Sequence, residues 1–247
     1  MIEIKSKNEI SLMEEAGKIV RNVLEEVSKS VRPGVTTGAL DKKADQIIRD
    51  FKARAAFKGY KGFPGSICAS INEQVVHGIP GETVLKPGDI LGIDVGVEKN
   101  GFYADAAVTV GVGDRVSGAA AELINATRNA LTAGIEKAVE GNRLFDISHA
   151  IQAYAESRGY SLVRDFVGHG IGRNMHEEPE IPNFGKPGTG PRLKSGMVLA
   201  IEPMVNLGTF EVRILSDGWT AVTKDGKLSA HFEHTVCVTD KGPRILT

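Results

Sequence analysis

Ile90-Leu-Gly-Ile-Asp94-Val-Gly-Val-Glu-Lys-Asn100-Gly-Phe-Tyr-Ala-Asp105-Ala is the stretch whose reading decides the fold. Two apolar runs flank Lys99-Asn100-Gly101, a hairpin-turn signal, and each run carries one carboxylate. An even-length loop pairs positions whose numbers sum to an odd value. Asp94 and Asp105 are therefore expected on one face, directly opposite or one diagonal step apart. Like charges at that separation, on apolar strands, repel and resist desolvation. Capping of a nearby turn would have to be arranged twice. A metal cation is the simpler resolution, since hard oxygen ligands suit Mn, Fe(II), Co, Zn or Mg.

Outward from the hairpin the chain reads as blocks. Ser6-x-x-Glu9 is a capping-box pattern ahead of Ile10, Met13, Gly17, Val20, Leu24 and Val27 at helical spacing, and Pro33-Gly34 stops that helix. A second helix is predicted from about Thr37 to Ala55. Short β-type runs follow at Ser66–Ile71, Asp89–Val97 and Phe102–Val110. Helical texture returns at Ser117–Val139 and Phe145–Ser157, then β-type runs at Met197–Ile201, Val212–Leu215, Trp219–Thr223 and Phe232–Val238. Apolar residues recur at equal offsets from Gly34 and Gly141 (Leu40 and Ile147, Ala44 and Ile151, Ile47 and Tyr154). Helix periodicity alone produces some such matches, so the offsets allow an internal duplication without requiring it. Helix blocks alternating with strand blocks favour an α+β fold with a curved, largely antiparallel sheet flanked by helices. No linker or composition break divides the chain, so a single domain over 1–247 is expected, with halves at about 1–112 and 113–247.

Composition narrows the function. The 247 residues carry 30 Lys+Arg against 31 Asp+Glu, a net charge of -1, which argues against a dedicated nucleic-acid or membrane-surface protein. There are 29 glycines, above the typical ~7% share, which suggests tight turns and backbone approaching a ligand. The polar N-terminus and the lack of a long apolar window read as a cytoplasmic protein. Cys68 and Cys237 stand in no metal-binding spacing and read as buried thiols. Neither Gly168-x-Gly170-x-Gly172 nor Gly111-x-Gly113 matches a nucleotide fingerprint.

Three histidines stand out: His169 between glycines in Gly168-His-Gly-Ile-Gly172, His176 in Met175-His-Glu-Glu-Pro179, and His77 before Gly78. His149, His231 and His234 read as surface or core residues. Glu202 ends an apolar run, and Glu233 lies inside one; the alternatives are buried ion pairs with Arg or Lys, or metal ligation. With Asp94, Asp105 and His169 they make four carboxylates and one imidazole, a set suited to two divalent metals.

In the settings IDVG, YADAAVTV, GHGIG, AIEPM and FEHT, these five residues in order resemble the type I methionine aminopeptidases. The resemblance runs from about Tyr60 to Val238 and includes the helical opening. It implies the pseudo-two-fold pita-bread fold and removal of the initiator methionine from nascent chains when the next residue is small. By the same resemblance Asp94, Asp105, His169, Glu202 and Glu233 hold two divalent ions (Co, Mn, Fe(II) or Zn), with Asp105 and Glu233 bridging. A hydroxide activated by both metals is the implied nucleophile and Glu202 its proton shuttle. His77 and His176 would contact substrate and stabilise the tetrahedral oxygen. Tyr60, Phe63, Cys68 and Trp219 would line the methionine pocket, and Asn72, Gln74 and Ser229 a monovalent-cation loop. Phe57 and Met175 depart from the bacterial pattern. There is neither a Cys-rich zinc module nor the type II helical insertion. Expected partners are N-terminal Met peptides and nascent chains, with room for weak ribosome docking, on a monomer. The rival readings are an X-Pro peptidase of the same fold and a non-catalytic peptide- or ribosome-binding module.

Overall fold

The computed structural model describes residues 2–114 and 116–247. Helix α1 (Lys7–Ser28) begins at the expected capping box, in which Ser6 and Glu9 satisfy each other's backbone N–H groups. Helix α2 (Thr37–Asp50) is capped by the Thr36 hydroxyl. It ends five residues before the predicted Ala55. Lys52 takes a left-handed φ of 54°, and Arg54–Ala55 pair as a strand with Val97 and Glu98. Helices α3 (Gly118–Ile135) and α4 (Leu144–Glu156) repeat the arrangement in the second half. Helix α3 stops four residues before the expected Val139, because the chain tightens to a Lys137 N–H···Gly134 carbonyl turn.

Among the described residues nine strands form one antiparallel sheet. Ile90–Lys99 and Phe102–Gly111 form the predicted hairpin, in register from Ile90 opposite Gly111 to Lys99 opposite Phe102. Asn100 and Gly101 form its two-residue turn, both at positive φ (55° and 80°), as a primed turn requires. Asp94 lies opposite Ala107 and Asp105 opposite Gly96, so the two acids are one diagonal step apart on a shared face. Phe102–Gly111 then pairs with Glu233–Cys237, which pairs with Val198–Ile201, followed by Gly168–Gly170 and Glu177–Ile181.

Period-2 alternation divides these strands between core and site. Leu91, Ile93, Val95, Val97, Ala104 and Ala106 pack with α1 and α2. Leu199, Ile201 and Val236 pack with α3 and α4. The intervening positions, including Asp94, Asp105 and Glu233, face away from the helices. Two threonines hold the central strands together there. Thr235 Oγ1 donates to the Asp105 carbonyl at 2.8 Å and accepts its N–H at 2.9 Å; Thr109 does the same with His231.

The two halves share detailed backbone geometry. Gly34 N–H donates to the Leu85 carbonyl and Leu85 N–H to Val35; Gly141 and Leu193 repeat this with Leu193 and Asn142. Val112 N–H reaches Asp89 and Gly88 N–H reaches Val112, just as Val238 reaches Met197 and Gly196 reaches Val238. The segments involved align as Leu85-Lys-Pro-Gly-Asp-Ile-Leu-Gly-Ile-Asp94 and Leu193-Lys-Ser-Gly-Met-Val-Leu-Ala-Ile-Glu202. Each ends on a carboxylate of the site. The fold is pseudo-two-fold, and its clearest sequence trace lies in these strands, where the helix offsets Leu40/Ile147 and Ala44/Ile151 are only secondary.

The chain closes where Leu246 lies against α1, and a Cβ at Gly17 would collide with the Leu246 backbone. Gly17→Ala is expected to destabilise by about 1–3 kcal/mol, the usual cost of overpacking, read as a drop of several degrees in thermal melting. An unchanged melting temperature would mean that the C-terminal segment is not seated there.

Candidate active site

A cavity of about 200 Å³ opens on the sheet face opposite the helices. Asp94, Asp105, His169, Glu202 and Glu233 line its floor; Tyr60, Phe63, Cys68, His77, His176 and Trp219 line its walls. Asn72, Gln74 and Ser229 do not line it: Gln74 and Ser229 lie in the small sheets and Asn72 in the turn before Gln74.

Asp105, His169 and Glu233 are all buried, and each offers a ligand atom within 4.8 Å of the others. Asp94 joins them from the neighbouring strand. Glu202 follows the Val198–Ile201 strand and is fixed there by Asn183, whose Nδ2 donates to the Glu202 carbonyl at 3.0 Å. Its carboxylate spans two imidazoles, with Oε1 at 3.6 Å from His169 Nε2 and Oε2 at 3.5 Å from His231 Nε2. His169 Nδ1 lies 2.9 Å from the Gly170 carbonyl, an acceptor, so Nδ1 carries the proton and Nε2 presents a lone pair to the carboxylates. A Cβ on Gly168 would collide with the Ala200 carbonyl and one on Gly170 with the Glu178 carbonyl, so the flanking glycines let the neighbouring backbone close on both sides of His169.

His231 is a correction to the sequence reading, which gave it no site role. It is 4% exposed and touches Glu202. Phe232 interrupts the pairing between the Ser229–His231 and Glu233–Cys237 strands, and Thr109 holds the His231 backbone through its N–H and carbonyl. The spacing of His231 to Glu233 was the available signal. Lys61, Phe57 and Met175 also line the cavity. His234 instead contacts Thr247 Oγ1 at 2.9 Å, and His149 is exposed.

On the walls, Tyr60 Oη and His176 Nδ1 are 2.9 Å apart, and the His176 ring stacks 4.3 Å from His169. Trp219 meets Phe63 edge-on at 5.2 Å and His77 at 6.4 Å. His77 holds a left-handed φ of 60°, a strained conformation for a residue with a Cβ. The Asn72 and Gln74 side-chain oxygens are already committed to the Ile90 and Ile71 N–H groups.

No lysine or arginine pairs with any of the four carboxylates among the described residues, so the buried ion pair that sequence alone left open is not what holds Glu202 and Glu233. Asp94 Oδ1, Asp105 Oδ1 and Glu233 Oε1 are buried without a hydrogen-bond partner among the described residues. Burial raises every acid: Asp94 to about 6, Glu202 to about 8, and Asp105 and Glu233 well above the usual range, with their mutual repulsion adding to the last two. Burial also lowers His169 to about 3 and His77 to about 4, so both are neutral at neutral pH. Orphaned hard oxygens around a neutral imidazole fit divalent metal.

Fold and site together define the class of a metallopeptidase, with candidate metal-binding acids on a pseudo-two-fold sheet. The chain belongs to metallopeptidase family M24, whose model matches residues 11–240, and it has the pita-bread fold. Within that family it is similar to methionine aminopeptidase of Clostridium perfringens, with 57% identity over all of this chain and 99% of the relative. The crystal structure of methionine aminopeptidase from Thermotoga maritima superposes with a TM-score of 0.98 at 48% identity, covering 100% of this chain and 99% of that one. Prolidase from Pyrococcus furiosus shares the fold at 22% identity (TM-score 0.78), and the match spans 99% of this chain but 65% of that one.

The raised acids give a signed pH dependence. Glu202, at about 8 in the fold against 4.5 when exposed, retains a proton that the unfolded chain releases. The stability this contributes is complete below pH 4.5 and is lost as pH rises through 8. The buried histidines act with the opposite sign, but only below their ordinary 6.5. Metal-free protein should therefore lose melting temperature from about pH 6.5 to 8.5, and excess Mn or Co should remove that slope. A flat metal-free profile would mean that the cluster ionises freely.

Proposed function

We propose that the chain is a metal-dependent aminopeptidase that removes the N-terminal methionine from peptides and nascent proteins whose second residue is small. The observation that carries this reading is the buried Asp105, His169 and Glu233, joined by the partly buried Asp94 and Glu202, at the floor of an aromatic- and thiol-lined slot. Asp94, Asp105, His169, Glu202 and Glu233 would hold two divalent ions. Such ions, when bound, lower the pKa of water and polarise a scissile carbonyl.

The chain's own groups then have distinct tasks. Glu202 would take a proton on a carboxylate oxygen not used for ligation and return it to the leaving amine. His176 is neutral at neutral pH because burial lowers it. With the Tyr60 hydroxyl donating to Nδ1, its Nε2–H is free to stabilise charge on the substrate oxygen, as is neutral His77. A donor of this kind is worth roughly 2.7–4 kcal/mol elsewhere. Phe63, Cys68 and Trp219 with Tyr60 form a slot for an unbranched thioether, where sulfur–aromatic contacts supply about 0.3–1.5 kcal/mol each. Burial pushes the Cys68 thiol well up, with nearby Asp94 adding to it, so it packs as a neutral wall group.

At Asn72, Gln74 and Ser229 the side-chain oxygens of the first two are in use, so a monovalent cation there would rest on backbone carbonyls. The surroundings we assign are cytoplasmic, with a monomer meeting nascent chains and docking only weakly on ribosomes. No helix among the described residues is long and apolar enough to cross a membrane.

The test is hydrolysis of Met-Ala-Ser, Met-Leu-Ser and an X-Pro peptide by metal-stripped protein reloaded with Mn, Fe(II), Co or Zn in turn. Met-Ala-Ser should be cleaved and the other two spared, and Glu202→Gln should lower kcat by a hundredfold or more with metal still bound. Cleavage of the X-Pro peptide alone, or full turnover by Glu202→Gln, would overturn the reading.

A further inference from the structure

Lys5 is an unusual lysine. Its side chain is 2% exposed, its Nζ lies 2.6 Å from Glu177 Oε2 and 2.7 Å from Glu3, and its N–H donates to the Gly196 carbonyl at 2.8 Å. Charged groups are rarely buried so far without a task. Glu177, itself nearly buried, uses its other oxygen to accept the Asn174 N–H at 3.0 Å. The chain Lys5–Glu177–Asn174 thus closes the turn 172–177, which carries Met175 and His176 into the cavity. Tyr103 N–H donates to the Gly172 carbonyl at 2.8 Å, and Arg173 reaches Glu9 at 3.1 Å, so the N-terminal segment grips the turn at a second place. Two glycines make room for the clamp. A Cβ on Gly172 would occupy the end of the Lys5 side chain, and one on Gly196 would meet Ile4 at 2.7 Å. The last glycine of Gly168-His-Gly-Ile-Gly172 is therefore explained by Lys5 and not by the histidine.

We infer that Lys5 is a positioning residue: its ammonium, clamped on Glu177, holds the 172–177 turn so that His176 stays against Tyr60 and over the carboxylate cluster. The inference rests on the aminopeptidase reading for its kinetic test and on geometry alone for the clamp.

The experiment compares wild type with Lys5→Met and Gly172→Ala, each also combined with His176→Ala, in metal-loaded enzyme. Gly172→Ala displaces only flexible side-chain ends, so it tests the clamp even if Lys5→Met does not fold. Either variant should keep wild-type metal content, lower kcat/KM on Met-Ala-Ser at least tenfold, and cause no further loss in the His176→Ala background. Amide hydrogen exchange over 172–178 should quicken at least tenfold. A folding role alone would give the same fold-loss in both backgrounds, and that result, or unchanged exchange, overturns the inference. If wild type cleaves no Met peptide, the aminopeptidase reading fails, and the exchange data still decide the clamp.

Discussion

The site is governed by the repulsion among four carboxylates, Asp105 and Glu233 buried and Asp94 and Glu202 nearly so, with no lysine or arginine among the described residues to balance them. Ionising one such group in an apolar interior costs several kcal/mol, and a domain is stable by only about 5–15 kcal/mol in all. Four charges at once would exceed that margin. At neutral pH Glu202, Asp105 and Glu233 therefore retain protons in the metal-free protein, Asp94 at about 6 being the acid that ionises, and divalent cations would displace those protons. The rest of the sheet supplies rigidity. Thr109 and Thr235 tie the two central strands on both sides of the cluster, and the faces behind it are packed with Leu, Ile, Val and Ala against four helices.

The pseudo-two-fold arrangement accounts for how the acids of the site converge. Each half sends one strand that opens on Leu-Lys-x-Gly and runs into a carboxylate, Asp94 in one and Glu202 in the other. The same turn hydrogen bonds hold both. Asp105 and Glu233 follow on the partner strands and meet across the seam, where Ala107 faces Glu233. Each half thereby brings acids to one point, as the proposed two-metal site requires. His169, His176 and His77 are asymmetric additions that give the floor an imidazole and the walls their donors. The walls depend in turn on distant parts of the chain, as the contact between Lys5 and Glu177 shows.

The sequence made some of this legible and hid the rest for definite reasons. The hairpin was readable because a two-residue Asn-Gly turn fixes register, and period-2 alternation then fixes the face. Asp94 and Asp105 accordingly lie one diagonal step apart. The α1 capping box was readable because it is local. The end of α2 was not, since Phe51 and Ala53 suit a helix and only pairing of Arg54–Ala55 with the sheet draws the chain away. The internal repeat left its mark at Leu85–Asp94 and Leu193–Glu202, whereas the helices, compared first, share apolar spacing with any amphipathic helix.

By itself, then, the sequence determined the local elements, the order of the five candidate ligands and, through their settings, the family, because turn chemistry and strand alternation act over a few residues. Tertiary structure alone decided that His231 flanks Glu202, that Tyr60 meets His176, and that among the described residues no lysine or arginine pairs with the carboxylates. It alone put Lys5 against Glu177, 172 residues away. Such contacts depend on how the halves close over each other, and desolvation, which sets every pKa in the site, exists only once they have closed.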